Sequence, residues 1–417
     1  MAYLTRVADS IVSELLIAMG GVLIEGPRAC GKTSTALQQA RSSIRLDLSP
    51  ELVQLADISP GELLLGATPR LIDEWQLAPS LWNAIRHEID QRQAKGQFIL
   101  SGSAAPDHDV TRHSGAGRIG RLRMRPMSLA ESGASTGEIS LGELRHGVQI
   151  SGTSKLSYRE LAEEAVRGGW PGLLGASIRE AVIFNRSYCD DLCDTQIAEA
   201  TGVRHDPVRM RRLLASLARN ISSATTAVSL AKDIGADGSE IDPRTVSNYI
   251  AALVRLFAVE DLPAWSVSLR SKSRLRTAGK IHLADPSLAC ASLGVGVDRL
   301  AGDPEFFGRI FESMVIRDLR ALAAAQFGRV YHYHDNTELE VDAIIEYPEA
   351  GSWAACEVKL GSNRIPEAEA NLLKLRDERV DTSRVGEPAF LAIITGTQYA
   401  YTLASGVHVV PLGALTV

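Results

Sequence analysis

The stretch Gly26-Pro-Arg-Ala-Cys-Gly31-Lys32-Thr33 constrains this chain more than any other, because its flanks restrict what it can be. It satisfies G-x-x-x-x-G-K-[ST] in full. The apolar run Gly21-Val-Leu-Ile-Glu25 precedes it and the helix-compatible Ser34-Thr35-Ala36-Leu37-Gln38-Gln39-Ala40 follows it. A buried strand, a glycine turn and a helix in that order predict a phosphate-binding loop rather than a chance turn. Glycines let successive N–H groups curl around phosphate oxygens, and the helix aims the positive end of its dipole at the anion. The expected nucleotide contacts are Gly26, Pro27, Arg28, Ala29, Cys30, Gly31, Lys32, Thr33 and Ser34. Lys32 is expected against the β- and γ-phosphates of ATP, and the Thr33 hydroxyl on Mg2+.

Downstream, Pro69-Arg-Leu71-Ile72-Asp73-Glu74-Trp75-Gln76 reads as a short apolar strand ending in two carboxylates. At such a place the first acid holds Mg2+ and the second polarises the attacking water, so Asp73 is assigned to the metal and Glu74 to catalysis. An amphipathic helix from Leu81 to Asp90 and a buried strand, Gln97-Phe-Ile-Leu-Ser101-Gly-Ser103, come next. This order of strand, acid, helix, strand and polar residue resembles the AAA-type ATPases. That resemblance implies that Ser101 or Ser103 senses the γ-phosphate; a serine that merely closes a strand is the other reading. Residues 104 to 118 look like a loop. In Arg118-Ile-Gly-Arg121-Leu-Arg123-Met-Arg125, alternation puts Arg121, Arg123 and Arg125 on one strand face. Arg118, then Arg121, is the candidate to stabilise the transferring phosphate, in cis or from a neighbouring subunit; a solvated basic face is the alternative.

Bulk properties narrow the class. At 417 residues two or three domains are expected, and 45% apolar with 23% charged residues is a core-forming composition. A net charge of −6 argues against coating nucleic acid by overall charge but leaves room for a local basic groove. The five cysteines, Cys30, Cys189, Cys193, Cys290 and Cys356, form no disulfide framework and suit a reducing compartment. Cys189 and Cys193 lack a second metal-ligand pair and read as buried helix residues. With no signal peptide and no apolar run of transmembrane length, a cytoplasmic protein with no membrane partner is expected.

The Ser-, Gly- and Thr-rich stretch from Glu131 to Ser157 marks the expected first boundary, giving an ATPase domain over residues 1–135. Helical patterns fill residues 155–280, and the segment ending in Asp242-Pro-Arg244-Thr-Val-Ser247-Asn248 reads as a helix-turn-helix capped by Asp242. In a DNA reader Arg244, Ser247 and Asn248 would lead into the major groove, whereas winged-helix units also serve as plain structural modules. The basic stretch Arg270-Ser-Lys272-Ser-Arg274-Leu-Arg276 is a phosphate contact or a solvated loop.

Residues 281–417 carry a second constellation. A helix bears Glu312, a strand bears Asp342, and Glu357-Val-Lys359 follows fifteen residues after Asp342. This has the form of the PD-(D/E)XK nucleases. Asp342 and Glu357 on adjacent strands can share one Mg2+ completed by Glu312, and alternation puts Lys359 on the Glu357 face as the catalytic lysine. His332 and His334 read as ordinary strand residues.

Taken together the chain resembles a prokaryotic family of AAA-type ATP-binding proteins that join a P-loop domain to a C-terminal domain of unknown function with a PD-(D/E)XK-like core. The resemblance rests on Gly26–Thr33, Leu71–Gln76, Ser101–Ser103, Arg125–Leu129, Gly168-Gly-Trp-Pro171, Phe311-Glu312, Glu340–Asp342 and Glu357–Lys359. It implies an α/β protein with a P-loop NTPase domain, a helical and winged-helix middle segment and a restriction-endonuclease-like end. Cys30 stands where such loops carry a small or polar residue, which would make ATP binding sensitive to oxidation. The leading expectation is a Mg2+-dependent ATPase coupled to a nuclease-like domain acting on DNA. The runner-up is a nucleotide-switched regulatory protein, of toxin–antitoxin or defence type, whose C-terminal domain is a silent docking surface for a protein partner. A sequence-specific transcription regulator using the winged helix is the third reading. A finger supplied in trans would make the protein at least a homodimer.

Overall fold

The structure, a computed structural model, describes residues 3–103, 115–198, 205–235, 241–266, 278–349 and 351–417. The basic stretch Arg270–Arg276 and most of the loop before Arg118 lie outside the described residues. The chain packs as two compact units: residues 1–126 with 255–257, and residues 127–254 with 258–417.

The first unit is built on five parallel strands, β1 (Gly21–Glu25), β2 (Ser42–Arg45), β3 (Arg70–Asp73), β4 (Phe98–Gly102) and β5 (Ile119–Arg123), in the order β2-β3-β4-β1-β5. The apolar runs of β1, β3 and β4 are buried almost throughout, as parallel strands covered on both faces require. Leu23, Ile72, Leu100, Phe98, Trp75, Trp82 and Ile85 belong to its core. Two helices, Pro50–Ile58 and Pro60–Leu63, occupy a stretch that carries no strong sequence signal.

The second unit begins earlier than the sequence suggests. The Ser/Gly-rich stretch that reads as a domain boundary instead supplies two-residue strands, β6 (Ile139–Ser140) and β7 (Gly152–Thr153), to this unit. Pairings this short are made by the backbone alone, so no side-chain alternation announces them. Helices Tyr158–Arg167, Ile178–Asp191, Pro207–Arg219, Ala227–Ile234 and Pro243–Arg255 follow. An antiparallel hairpin of β8 (Val259–Leu262) and β9 (Lys280–Leu283) comes next, and Ser223 bridges to Ile281 of β9. The expected cut between residues 280 and 281 therefore passes through a paired strand.

After the helix Pro304–Ala324 come β10 (Arg329–His334), β11 (Glu340–Tyr347), β12 (Ser352–Lys359), β13 (Leu391–Thr395), β14 (Tyr399–Thr402), β15 (His408–Pro411) and β16 (Leu415–Thr416). Seven strands form one sheet in the order β10-β11-β12-β13-β15-β14-β7, while β16 pairs with β6. The first three strands are antiparallel, β12, β13 and β15 run parallel, and the helix Ile365–Lys374 lies in the β12-to-β13 crossover. Val341, Ile344, Trp353, Leu372, Ile393 and Val409 pack in its core.

A buried polar network organises this unit. The guanidinium of Arg317, on helix Pro304–Ala324, donates to Asp285 and to Asp318 at 2.8 Å each. Asp285 also accepts from the Gly169 N–H at 2.9 Å, and Asp318 from the Leu129 N–H at 2.8 Å. Trp170 Nε1 donates to Ser287 Oγ at 3.1 Å. The Gly168-Gly-Trp-Pro171 motif is thereby fixed to residues more than a hundred positions away.

Candidate functional site

Two clusters of chemistry-bearing residues emerge, one in each unit. In the first, β1 delivers the chain into the glycine loop at its carboxyl end, the place where open α/β sheets bind ligands. Gly26 has no room for a side chain, since a Cβ there would lie 2.2 Å from the Met124 carbonyl oxygen. Gly31, with φ of 100°, takes the left-handed conformation that starts the helix Lys32–Gln39. Arg6, missed in the sequence, is buried and clamps the loop from outside. Its guanidinium donates to the Cys30 carbonyl at 2.9 Å and to the Arg125 carbonyl at 2.8 Å. An arginine just ahead of an amphipathic helix reads as a surface charge, so only the long-range fold exposes its role.

Lys32 is buried, and its Nζ donates to the carbonyls of Gly26 and Pro27 at 3.0 and 2.8 Å. Thr33 Oγ1 donates to both carboxylate oxygens of Asp73, at 2.9 and 3.0 Å. Ser101, level with Asp73 in the sheet, donates from Oγ to the same carboxylate, and Arg45 Nε stands 3.6 Å from it. Glu74 follows in the left-handed region at φ 54°, with Gln76 and Ser103 hydrogen-bonded to its carboxylate. A hydroxyl, a carboxylate and an ammonium converging on a loop of backbone donors suit a phosphate chain with a hard divalent cation. Thr33 and Asp73 would hold Mg2+, since both are oxygen donors and already touch.

The two candidate arginines lie at different depths along the sheet. The Arg118 carbonyl accepts from the Gly21 N–H at 3.0 Å, which puts Arg118 at the start of β1. The loop leaves the other end, about 13 Å away at ~3.3 Å per residue. Arg118 Nε instead pairs with Asp90 at 2.7 Å on the surface. Arg121 lies in mid-strand opposite Leu23 and pairs with Glu25 at 3.4 Å. Arg118 thus stands at the far end of β1 from its own loop, whereas Arg121 pairs with Glu25, the residue just ahead of that loop. Arg123, level with Glu25, is closer to the loop end of the sheet. The oxidation expectation also fails, because Cys30 is wholly buried, with its thiol toward the Met124 carbonyl.

The second cluster lies where β11 and β12 pair with Ala343 opposite Cys356, which brings Asp342 and Glu357 together as the sequence predicts. Asp342 accepts from the Val358 N–H at 2.8 Å. Lys359 Nζ lies 2.7 Å from Glu357 and 3.9 Å from Asp342. Asn371, from the crossover helix, donates to Glu357 at 3.0 Å. Glu312 approaches from helix Pro304–Ala324 and meets a residue the sequence reading did not single out. Lys280 Nζ lies 2.7 Å from Glu312, 2.6 Å from Glu340 and 3.4 Å from Asp342. The available signal is a lysine opening a short strand beside Ile281 and Leu283, where a buried ammonium demands acidic partners.

Four acids thus share two ammonium groups. Burial, then the charge of Asp342, pushes the carboxyls of Glu312 and Glu357 well above the usual range. Burial opposes ionisation of Asp342 as well, but Lys280, Lys359 and the Val358 N–H hold it below the usual value. The oxygen donors are of the kind Mg2+ takes. Among the described residues, however, no three acid, His or Cys side chains are poised as a metal cage. The Lys280 ammonium stands among three of the acids instead.

The other residues singled out in the sequence are placed as follows. Cys189 and Cys193 are buried thiols pushed up by burial to about 11 and about 12. His332 is buried, with Nε2 3.2 Å from the Ala278 carbonyl, and burial lowers it to about 4. No helix among the described residues is long and apolar enough to cross a membrane. Asp242 caps its helix through the Arg244 N–H at 2.7 Å, and Arg244, Ser247 and Asn248 are exposed on one face.

Comparison with known proteins bears on these sites. Residues 20–133 match a family model described as an AAA domain. Residues 158–299 match a domain of unknown function, DUF8612, and residues 307–415 another, DUF4143. Uncharacterised proteins of Mycobacterium bovis and Mycobacterium tuberculosis are each 25% identical over 334 residues, covering 78% of this chain and 67% of theirs. Among solved structures, a Walker-type ATPase of Pyrococcus abyssi aligns at 14% identity and a TM-score of 0.43, covering 70% of this chain and 96% of that one. A DNA replication initiation factor aligns at 15% identity and a TM-score of 0.25, covering 58% of this chain and 86% of that one. The AAA match contains the whole loop, Asp73, Glu74 and Ser101, and with the parallel sheet it supports an AAA-type ATP-binding protein with a DUF4143 segment at its C-terminal end.

Proposed function

We propose that this protein is a Mg2+-dependent ATPase whose turnover drives or gates a nuclease-like C-terminal domain acting on DNA. The observation that carries the ATPase reading is the Thr33 hydroxyl held between both oxygens of Asp73, with Lys32 folded back on the loop carbonyls. On nucleotide binding Lys32 turns from Gly26 and Pro27 to the β- and γ-phosphates, a charge-assisted exchange. Thr33 and Asp73 would hold Mg2+, which would supply positive charge to neutralise the developing phosphate charge. Glu74 takes a proton from the attacking water, and Ser101 keeps Asp73 oriented toward the site.

For the C-terminal domain, the support is the grouping of Asp342, Glu357 and Lys359 at one point of a mixed sheet. Glu312, Asp342 and Glu357 would hold Mg2+ and Lys359 would orient a water or steady the phosphorane. The succession of helix, bridge, two helices and the β8–β9 hairpin supports a winged-helix reading of the middle segment. The exposed Arg244, Ser247 and Asn248 supply its DNA-facing side. Purified protein with Mg2+ should cleave supercoiled plasmid or single-stranded DNA, more strongly with ATP, and Asp342→Ala should remove the cleavage. Turnover of ATP with no cleavage under any condition would favour the second reading, a nucleotide-switched docking protein. One observation speaks for that reading: the acid cluster already holds the ammonium of Lys280.

A further inference from the structure

Resting on the reading of the C-terminal acids as a divalent-metal site, we infer that Lys280 is a built-in competitor for that metal. Its ammonium closes the acid cluster and must withdraw before the cation can load. Lys280 touches Glu312, Glu340 and Asp342 within 3.4 Å and is buried, so its charge fills the space that the carboxylates would otherwise turn toward a metal. A second observation concerns where Lys280 is mounted. It does not belong to the seven-stranded sheet that carries Asp342 and Glu357 but to the separate two-stranded hairpin. It is also the first residue of β9, opposite Leu262, the last residue of β8.

The acids are anchored independently of Lys280. Asp342 is held by the Val358 N–H, and Glu357 by Lys359 and Asn371. Withdrawal of Lys280 therefore leaves two of the acids in position and frees Glu312 to join them. Lys280 also comes from the segment matching DUF8612, whereas all four acids lie in the segment matching DUF4143. The middle segment thus inserts one cation into a site otherwise made by its neighbour.

The test is calorimetric titration of Mn2+ into the full-length, nucleotide-free protein. Lys280→Met should bind Mn2+ at least tenfold more tightly than wild type, Lys280→Arg should stay at the wild-type value, and adding Asp342→Asn to Lys280→Met should abolish the gain. Equal or weaker binding by Lys280→Met, with wild-type binding still lost in Asp342→Asn, would overturn the role of Lys280 and leave the metal site standing. No binding by either protein would overturn both. Should Lys280→Met fail to fold, acetic anhydride footprinting of the wild type decides. Lys280 should be modified more in saturating Mn2+ than in chelator, and unchanged modification would refute the competition.

Discussion

At the scale of single residues, the nucleotide site depends on a few side chains held by partners rather than by shape. Glu74 sits at φ 54°, a conformation a non-glycine residue adopts only when its surroundings impose it, and its carboxylate is steered by Gln76 and Ser103. Strain of this kind fits a base that must point at one water. Glu74→Gln should therefore bind ATP as the wild type does and lose turnover by about 10²- to 10⁴-fold. Unchanged steady-state hydrolysis would remove Glu74 from the mechanism. Local motifs made most of these residues legible: Lys32 and Thr33 from the loop pattern, Asp73 and Glu74 from their place after an apolar strand. Arg6 and Lys280 were not legible as site residues, because each gains its role from partners far away in sequence, Cys30 and Arg125 for one and Glu312, Glu340 and Asp342 for the other. Arg118 shows the opposite case, a local pattern whose position along the sheet, at the far end of β1 from its own loop, only the fold reveals.

Among the elements, the helix Pro304–Ala324 does the most. One turn carries Glu312 to the acid cluster, and a later one places Arg317 between Asp285 and Asp318. Arg317→Met would leave two buried carboxylates without their cation, a loss of roughly 3–5 kcal/mol of stability. Urea unfolding followed by circular dichroism measures it, and a change below about 1 kcal/mol would mean that the network is not a support of this unit. Long, strongly patterned elements were readable from periodicity, as β1, β4, β11 and the helix Tyr158–Arg167 show. The short strands β6, β7, β14 and β16 were not, since pairings of two to four residues are specified by the backbone.

For the whole molecule, the two units each hold one candidate site. The three-part division expected from composition does not match the packing, because the β8–β9 hairpin and the β6 and β7 strands tie the middle of the chain to its end. The division persists at another level, in the separate family matches to residues 158–299 and 307–415. A net charge of −6 gives the chain no general affinity for nucleic acid, so DNA binding, if it drives the C-terminal site, must come from a local surface. Arg244→Ala should then weaken binding of duplex DNA in a mobility-shift assay, and unaltered affinity would take that helix out of the interface.

The loop at Gly26–Thr33 is tested most directly by equilibrium binding of a fluorescent ATP analogue with Mg2+ to wild-type protein and to Lys32→Ala. Saturable binding by the wild type, abolished in the variant while its circular dichroism is unchanged, is the predicted result. Equal affinity in the two proteins would contradict the nucleotide site and the function built on it.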